Sequence, residues 1–217
     1  MRSRANHPLR VSLLCTAFAL AIACTIAAMP AHAAAASTTA SSSRAEYSRL
    51  FGELQKADFV QEGATQSQAL LYVFFDANCY YCHLTWKALQ PYERVGLQVR
   101  WIPVAYQKPS SVGRAGAIVQ AADRAAALRL NETRYDRARF DGGIAPMDDV
   151  PSALVAQLER NTRLMQAFGA PGTPVVIWKD GAGQVHVKVG VPRLSQLPSM
   201  TRLPVQVVND PELAQFR

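Results

Sequence analysis

The chain has 217 residues, 49% of them hydrophobic and 18% charged, with 23 Lys and Arg against 16 Asp and Glu for a formal charge of +7. That length fits one domain with extras or two small domains, and the composition excludes a disordered, collagenous or coiled-coil chain. Arg2, Arg4 and Arg10 supply three of the cations; the remaining 20 basic and 16 acidic side chains leave +4, too scattered for a nucleic-acid partner.

The chain opens with those arginines, runs through an uncharged apolar stretch over 11–28, and reaches Pro30 and then Ala31-His32-Ala33. A basic start, an apolar run and an A-x-A pattern read as a signal peptide over 1–33, cleaved before Ala34. Two alternatives stay open, a single membrane anchor and a lipoprotein attached through Cys24 of Ala21-Ile22-Ala23-Cys24. Removing the signal discards Cys15 and Cys24 and leaves Cys79 and Cys82. In an oxidising compartment that C-x-x-C pair can form a disulfide. It closes too short a loop to serve as a staple, and spacing and compartment favour a bond that cycles.

Residues 34–43 are small and of low complexity, and with a short helix they form a leader over 34–63. The helix is expected at 44–57, where Tyr47, Leu50, Phe51 and Leu54 fall on one face. The apolar run 69–75 reads as a central strand buried on both faces. Asp76-Ala77-Asn78 breaks it, and a helix follows from Cys79 to Gln90, ending at Pro91. A second strand is expected at 97–104. An Ala-rich helix follows over 111–129, then a loop around Asp141-Gly142-Gly143 and Pro146, and a helix over 149–168 stopped by Gly169. Two strands, 173–178 and 184–190, flank a turn over 179–183. A short helix spans 193–201 with Pro198 inside it; residues 204–217 are left as a tail. A helical crossover makes the first two strands parallel, and the hairpin makes the last two antiparallel. The result is α/β, a mixed sheet with a helical insertion.

Chemistry concentrates where the buried strand meets a helix start. A thiolate is the nucleophile, and an ordinary Cys is mostly protonated at neutral pH. A helix N-terminus offers free N–H donors and partial positive charge, which stabilise the thiolate of Cys79. Cys82 lies on the same side, within reach of a mixed disulfide at Cys79, and is the resolving thiol. The same residues with His83 also satisfy C-x-x-C-H, the haem attachment pattern, with Met147, Met165 or Met200 as further axial ligands. Zinc lacks a second ligand pair, since His186 stands alone far along the chain. His83, one turn after Cys79, is a candidate modulator of its thiolate or a solvated helix position. Tyr80 and Tyr81 are candidate stacking surfaces for a peptide, Trp86 and Leu89 are core, and Asn131-Glu132-Thr133 matches a glycosylation acceptor. Thr173-Pro174 opens a strand, and a cis bond there makes a bend that leaves backbone groups free for an extended peptide.

FFDANCYYCHLTWKAL, followed by FGAPGTPVVIWKDGAG and VGVP, resembles the DsbC/DsbG family of periplasmic thiol–disulfide interchange proteins. PVAYQKPSS and NTRLMQAFGA look closer to its DsbG members, and the resemblance covers about 66–201. It implies a thioredoxin fold over 64–203 with catalytic Cys79 and Cys82, and Thr173 with a cis Pro174 facing them. It implies no metal or organic cofactor, unfolded or oxidised periplasmic proteins as clients, and a membrane redox donor of the DsbD type. Two departures stand out. Tyr80-Tyr81 replaces the family's usual pair containing Pro, and only about 30 residues precede the domain where the family has an N-terminal dimerisation domain. A monomeric dithiol reductase acting on disulfides or sulfenic acids is therefore expected, with a DsbA-like oxidase and a non-catalytic peptide-binding module as rivals.

Overall fold

The computed structural model describes residues 44–67 and 69–217. The expected signal peptide, the 34–43 leader and Cys24 lie outside the described residues. Helix α1 occupies 44–54, and strand β1 (Val60–Gly63) precedes β2 (Leu70–Asp76). Then come α2 (Tyr80–Glu93), β3 (Gln98–Val104), α3 (Ser111–Val119), α4 (Arg124–Thr133) and α5 (Ser152–Ala167). Strands β4 (Val175–Lys179) and β5 (Val185–Val189) lead to α6 (Leu197–Thr201) and a final 3-10 turn, Pro211–Phe216.

The strands form one sheet in the order β1-β3-β2-β4-β5. β2 and β3 are parallel, with Val73 opposite Trp101; every other pair is antiparallel. Alternation along β2 divides the interior. Leu71, Val73 and Phe75 face a core shared with Leu84, Leu89 and Trp101, while Tyr72 and Phe74 face a second core with Phe51, Ile102, Met165 and Ile177. Each such fully buried side chain contributes about 1.5–3 kcal/mol. Two apolar faces are why 70–76 carries an unbroken apolar run, as a strand covered by helices on both sides must.

Four expectations are corrected. The 34–63 leader takes in β1, whose Val60 and Glu62 are buried and whose pairing with β3 makes it a sheet edge. A four-residue strand holding a buried acid shows no apolar run. The single helix over 111–129 is two, broken at 120–123, where the Asp123 carboxylate accepts from Ala126 N at 2.9 Å and starts a new helix. Helix α2 runs past Gln90 to Glu93, because Pro91 falls in its last turn, where only one carbonyl loses its donor. The 204–217 tail is packed: Leu213 is fully buried, and Lys87 on α2 pairs with Asp210 and Glu212, both at 2.6 Å.

Candidate active site

Cys79 lies just past the end of β2 and caps α2. Its backbone is extended (φ −78°, ψ 113°), and its sulfur accepts the Cys82 N–H at 3.3 Å. Across from it the cis Thr173–Pro174 bond turns the Thr173 carbonyl inward, to accept from the Cys79 thiol at 3.6 Å. The hydrogen bond from the Cys82 thiol is the largest influence on Cys79, and with further help from Thr173 and Gln107 it outweighs burial and holds the thiol down at about 7. Burial pushes Cys82 well above its ordinary value, and the neighbouring Cys79 thiolate adds to that. One sulfur is thus charged near neutrality while its partner keeps its proton.

A polar frame holds the cap. The fully buried Asp76 carboxylate accepts from Asn78 N (2.9 Å) and Ser111 Oγ (2.8 Å) through Oδ1, and from Tyr106 N (2.9 Å) and Gln107 N (3.0 Å) through Oδ2. This joins the turn before Cys79 to the β3–α3 loop. That loop grips Thr173 in turn. Tyr106 Oη accepts from Thr173 N at 2.8 Å and donates to Thr173 Oγ1 at 3.3 Å, and Gln107 Nε2 donates to the same hydroxyl at 3.2 Å. Asn78 donates to Ser110 and Ser111 and accepts from Gly142 N at 3.1 Å. A Cβ on Gly142 would collide with the Asn131 side chain and the Ala77 carbonyl, so only glycine lets that loop approach.

The structure brings Cys79, Cys82, Thr173 and Pro174 together as expected from the sequence. Tyr81 is exposed beside Cys79, and Tyr80 packs half-buried under Arg137 and against Phe140. His83 is turned elsewhere. Its ring stacks on Tyr135 at 4.7 Å, and its Nδ1 meets the buried Glu132 carboxylate at 3.2 Å rather than the Cys79 sulfur. The same packing speaks against haem: His83 is covered, both thiols are buried, and Met165 lies in the core on the far side of the sheet. Asn131 is likewise no glycosylation acceptor here, being fully buried with its amide on the Ala77 carbonyl. Sequence reasoning missed Asp76, Asn78, Tyr106 and Gln107. An acid ending an apolar strand was the available signal for Asp76, and it reads equally well as a simple breaker.

A family model described as a thioredoxin-like domain matches residues 55–197. The chain is 26% identical over 149 residues to the thiol:disulfide interchange protein DsbG of Pseudomonas aeruginosa, covering 68% of this chain and 57% of the relative. It is 25% identical over 144 residues to DsbG of Escherichia coli, covering 66% and 56%. The chain thus spans a little over half the length of these curated relatives. Among solved structures, the catalytic domain of Proteus mirabilis ScsC aligns with a TM-score of 0.58 at 18% identity, covering 73% of this chain and 96% of that one. At that identity the likeness shows the fold alone.

Proposed function

The chain belongs to the thioredoxin-like domain family, and from that membership we propose that it is a thiol–disulfide oxidoreductase acting on protein clients in the periplasm. The observation that carries the reading is the placement of the two thiols: Cys79 Sγ caps α2, accepting the Cys82 N–H at 3.3 Å and held down at about 7, while Cys82 is buried behind it and pushed up. The Cys79 thiolate attacks one sulfur of a client disulfide, forming a mixed disulfide and releasing the other client sulfur as thiolate. Cys82 gives up its proton and attacks Cys79 Sγ, the Cys79–Cys82 disulfide forms, and the second client thiolate leaves. Two electrons pass from the cysteine pair to the client. With a client sulfenic acid, the first step releases hydroxide, which takes up a proton as water.

Thr173 and Pro174 would present the backbone edge on which an extended client lies, with Tyr80 and Tyr81 beside it. The cysteine pair is itself the redox centre, with no metal or organic cofactor. A membrane donor of the DsbD type would return the electrons.

Single-turnover reduction of insulin by the pre-reduced protein tests this. The wild type is expected to reduce it, Cys79→Ser to lose the activity, and Cys82→Ser to accumulate a mixed disulfide visible on a non-reducing gel. Below pH 7 the rate should climb about tenfold per pH unit and level off above it, following the thiolate fraction of Cys79. Equal rates for wild type and Cys79→Ser would remove Cys79 as nucleophile. The Cys79–Cys82 potential then sets direction: near about −270 mV the protein reduces clients, near about −120 mV it oxidises them.

A further inference from the structure

Beside the two thiols stands a loop over 135–142 that the exchange chemistry does not use. Asp136 and Asp141 close it by paired backbone hydrogen bonds of 2.8 and 3.1 Å. It is fastened to the residue before Cys79: Tyr135 Oη donates to the Asn78 carbonyl at 2.8 Å, and Gly142 N donates to Asn78 Oδ1. Lys108 Nζ braces it further, donating to the Arg139 carbonyl at 2.5 Å and to Asp141 at 2.9 Å.

What this loop shows to solvent is unusual for a mere connection. Phe140 is 51% exposed and sits at φ 51°, in the left-handed region that a bulky side chain enters only at a cost. Its ring meets Tyr80 edge-on at 5.9 Å, and the Arg137 guanidinium stands over the same Tyr80 ring at 5.4 Å. A cleft of about 330 Å³ opens beside Tyr80 and Arg137, walled by Pro211 and Glu212. Both arginines of the loop reach into solvent, with side chains 67% (Arg137) and 76% (Arg139) exposed. Lys108 (2.9 Å), Arg139 (3.4 Å) and Arg114 (3.9 Å) all converge on the one Asp141 carboxylate, and Arg137 shares Glu212 with Lys87.

We infer that the ledge of Arg137, Arg139 and Phe140 selects clients: it takes an extended polypeptide whose cysteine is flanked by acidic and aromatic side chains. The inference deepens the exchange reading and rests on it for the client's cysteine. The ledge is anchored to Asn78, so it keeps a fixed relation to Cys79 and ranks clients at the moment of attack. Charge complementarity of this kind acts mainly on encounter rate and falls as salt screens it.

The test uses two disulfide-linked peptides that differ only in Glu or Lys on either side of the cysteine, with single-turnover rates compared as a ratio. For the wild type at low salt the Glu peptide is expected to react roughly three- to tenfold faster, the preference shrinking at about 1 M salt. In Arg137→Glu/Arg139→Glu the ratio should invert. Should that variant fail to fold, Arg137→Gln/Arg139→Gln should bring it to one. Phe140→Asn keeps the backbone, since Asn tolerates positive φ, and should erase any gain from a Phe placed beside the Glu. A wild-type ratio of one at low salt, or a ratio unmoved in the charge variants, overturns the inference. Binding of the same peptides with Ser in place of Cys, read by fluorescence anisotropy, separates the two readings. Tighter binding of the Glu peptide without any exchange would sink the proposed activity and leave the ledge standing; exchange with equal binding of both peptides would do the reverse.

Discussion

At the front of α2 the buried Asp76 carboxylate accepts four hydrogen bonds, from Asn78 N, Ser111 Oγ, Tyr106 N and Gln107 N. Behind the middle of the same helix Glu62, equally buried, accepts from Trp86 Nε1 at 2.8 Å, while its other oxygen meets the Arg129 guanidinium at 3.6 Å, too long for a hydrogen bond. A buried carboxylate is stable as an anion only where donors replace its lost water. At the front of the helix four donors satisfy the Asp76 side chain, which organises three loops around Cys79. The rear carries acids driven toward the neutral form: burial raises Glu62 to about 7, and burial with the nearby Glu62 charge raises Glu93 to about 8. One end is built for orientation, and the other stores a pH dependence.

Asp76→Ala tests the front end and should have the largest effect. It leaves three backbone N–H groups and the Ser111 hydroxyl facing a hole, a loss of about 3–5 kcal/mol in urea unfolding. It also frees Tyr106 and Gln107, which hold Thr173, so exchange measured in the folded fraction should fall as well. A loss under about 1 kcal/mol would mean that water satisfies these donors unaided and that the frame is not what holds the cap.

Glu62→Gln tests the rear. A carboxyl whose folded value is raised contributes stability that is fully present below its unfolded value, near 4.5, and is lost as pH rises through about 7. The wild type should therefore weaken between about pH 5 and pH 8, with Glu93 extending the decline. Gln still accepts from Trp86 and carries no charge, so the variant should be the more stable protein at pH 8 by on the order of 2 kcal/mol, with little gain at pH 5. Parallel stability curves for the two proteins would erase the contrast between the helix ends.

The contrast also explains what the sequence made legible. Cys79, Cys82, Thr173-Pro174 and the strand 70–76 announce themselves through spacing and apolar run, because their roles depend on neighbours in the chain. Asp76, Tyr106 and Gln107 act through partners some 30 to 67 residues away, and an acid, a tyrosine and a glutamine in loops have no local pattern. His83 misled for the same reason: one turn from Cys79 it is near in sequence, yet its ring is claimed by Tyr135 and Glu132 from the insertion. The break at 120–123 carries neither Gly nor Pro, and the packed end of the chain is held by charge pairs to α2. Local chemistry was visible, and long-range polar contacts were not.

The smallest effect is expected at the outermost layer of the front end, where Glu212 joins the 3-10 turn to α2. Its carboxylate meets Lys87 (2.6 Å), Arg137 (3.3 Å) and the Tyr80 hydroxyl (3.3 Å), and the Lys87 contact, helped by Tyr80, holds it below its ordinary value. The group is about one-fifth exposed, so solvent screens the pairs, and Lys87 keeps Asp210 at 2.6 Å when Glu212 is lost. Glu212→Gln should therefore cost only about 0.5–1 kcal/mol, less at high salt. The sign follows from the lowered value: what Glu212 contributes is present above its unfolded value, near 4.5, and is lost as pH falls below it, so wild type and variant should converge on acidification. The variant also releases Arg137 from its anion. If the turn is a strap alone, client rates stay fixed while stability dips; if it restrains the ledge, the preference for Glu-flanked peptides rises as Arg137 gains a free positive charge.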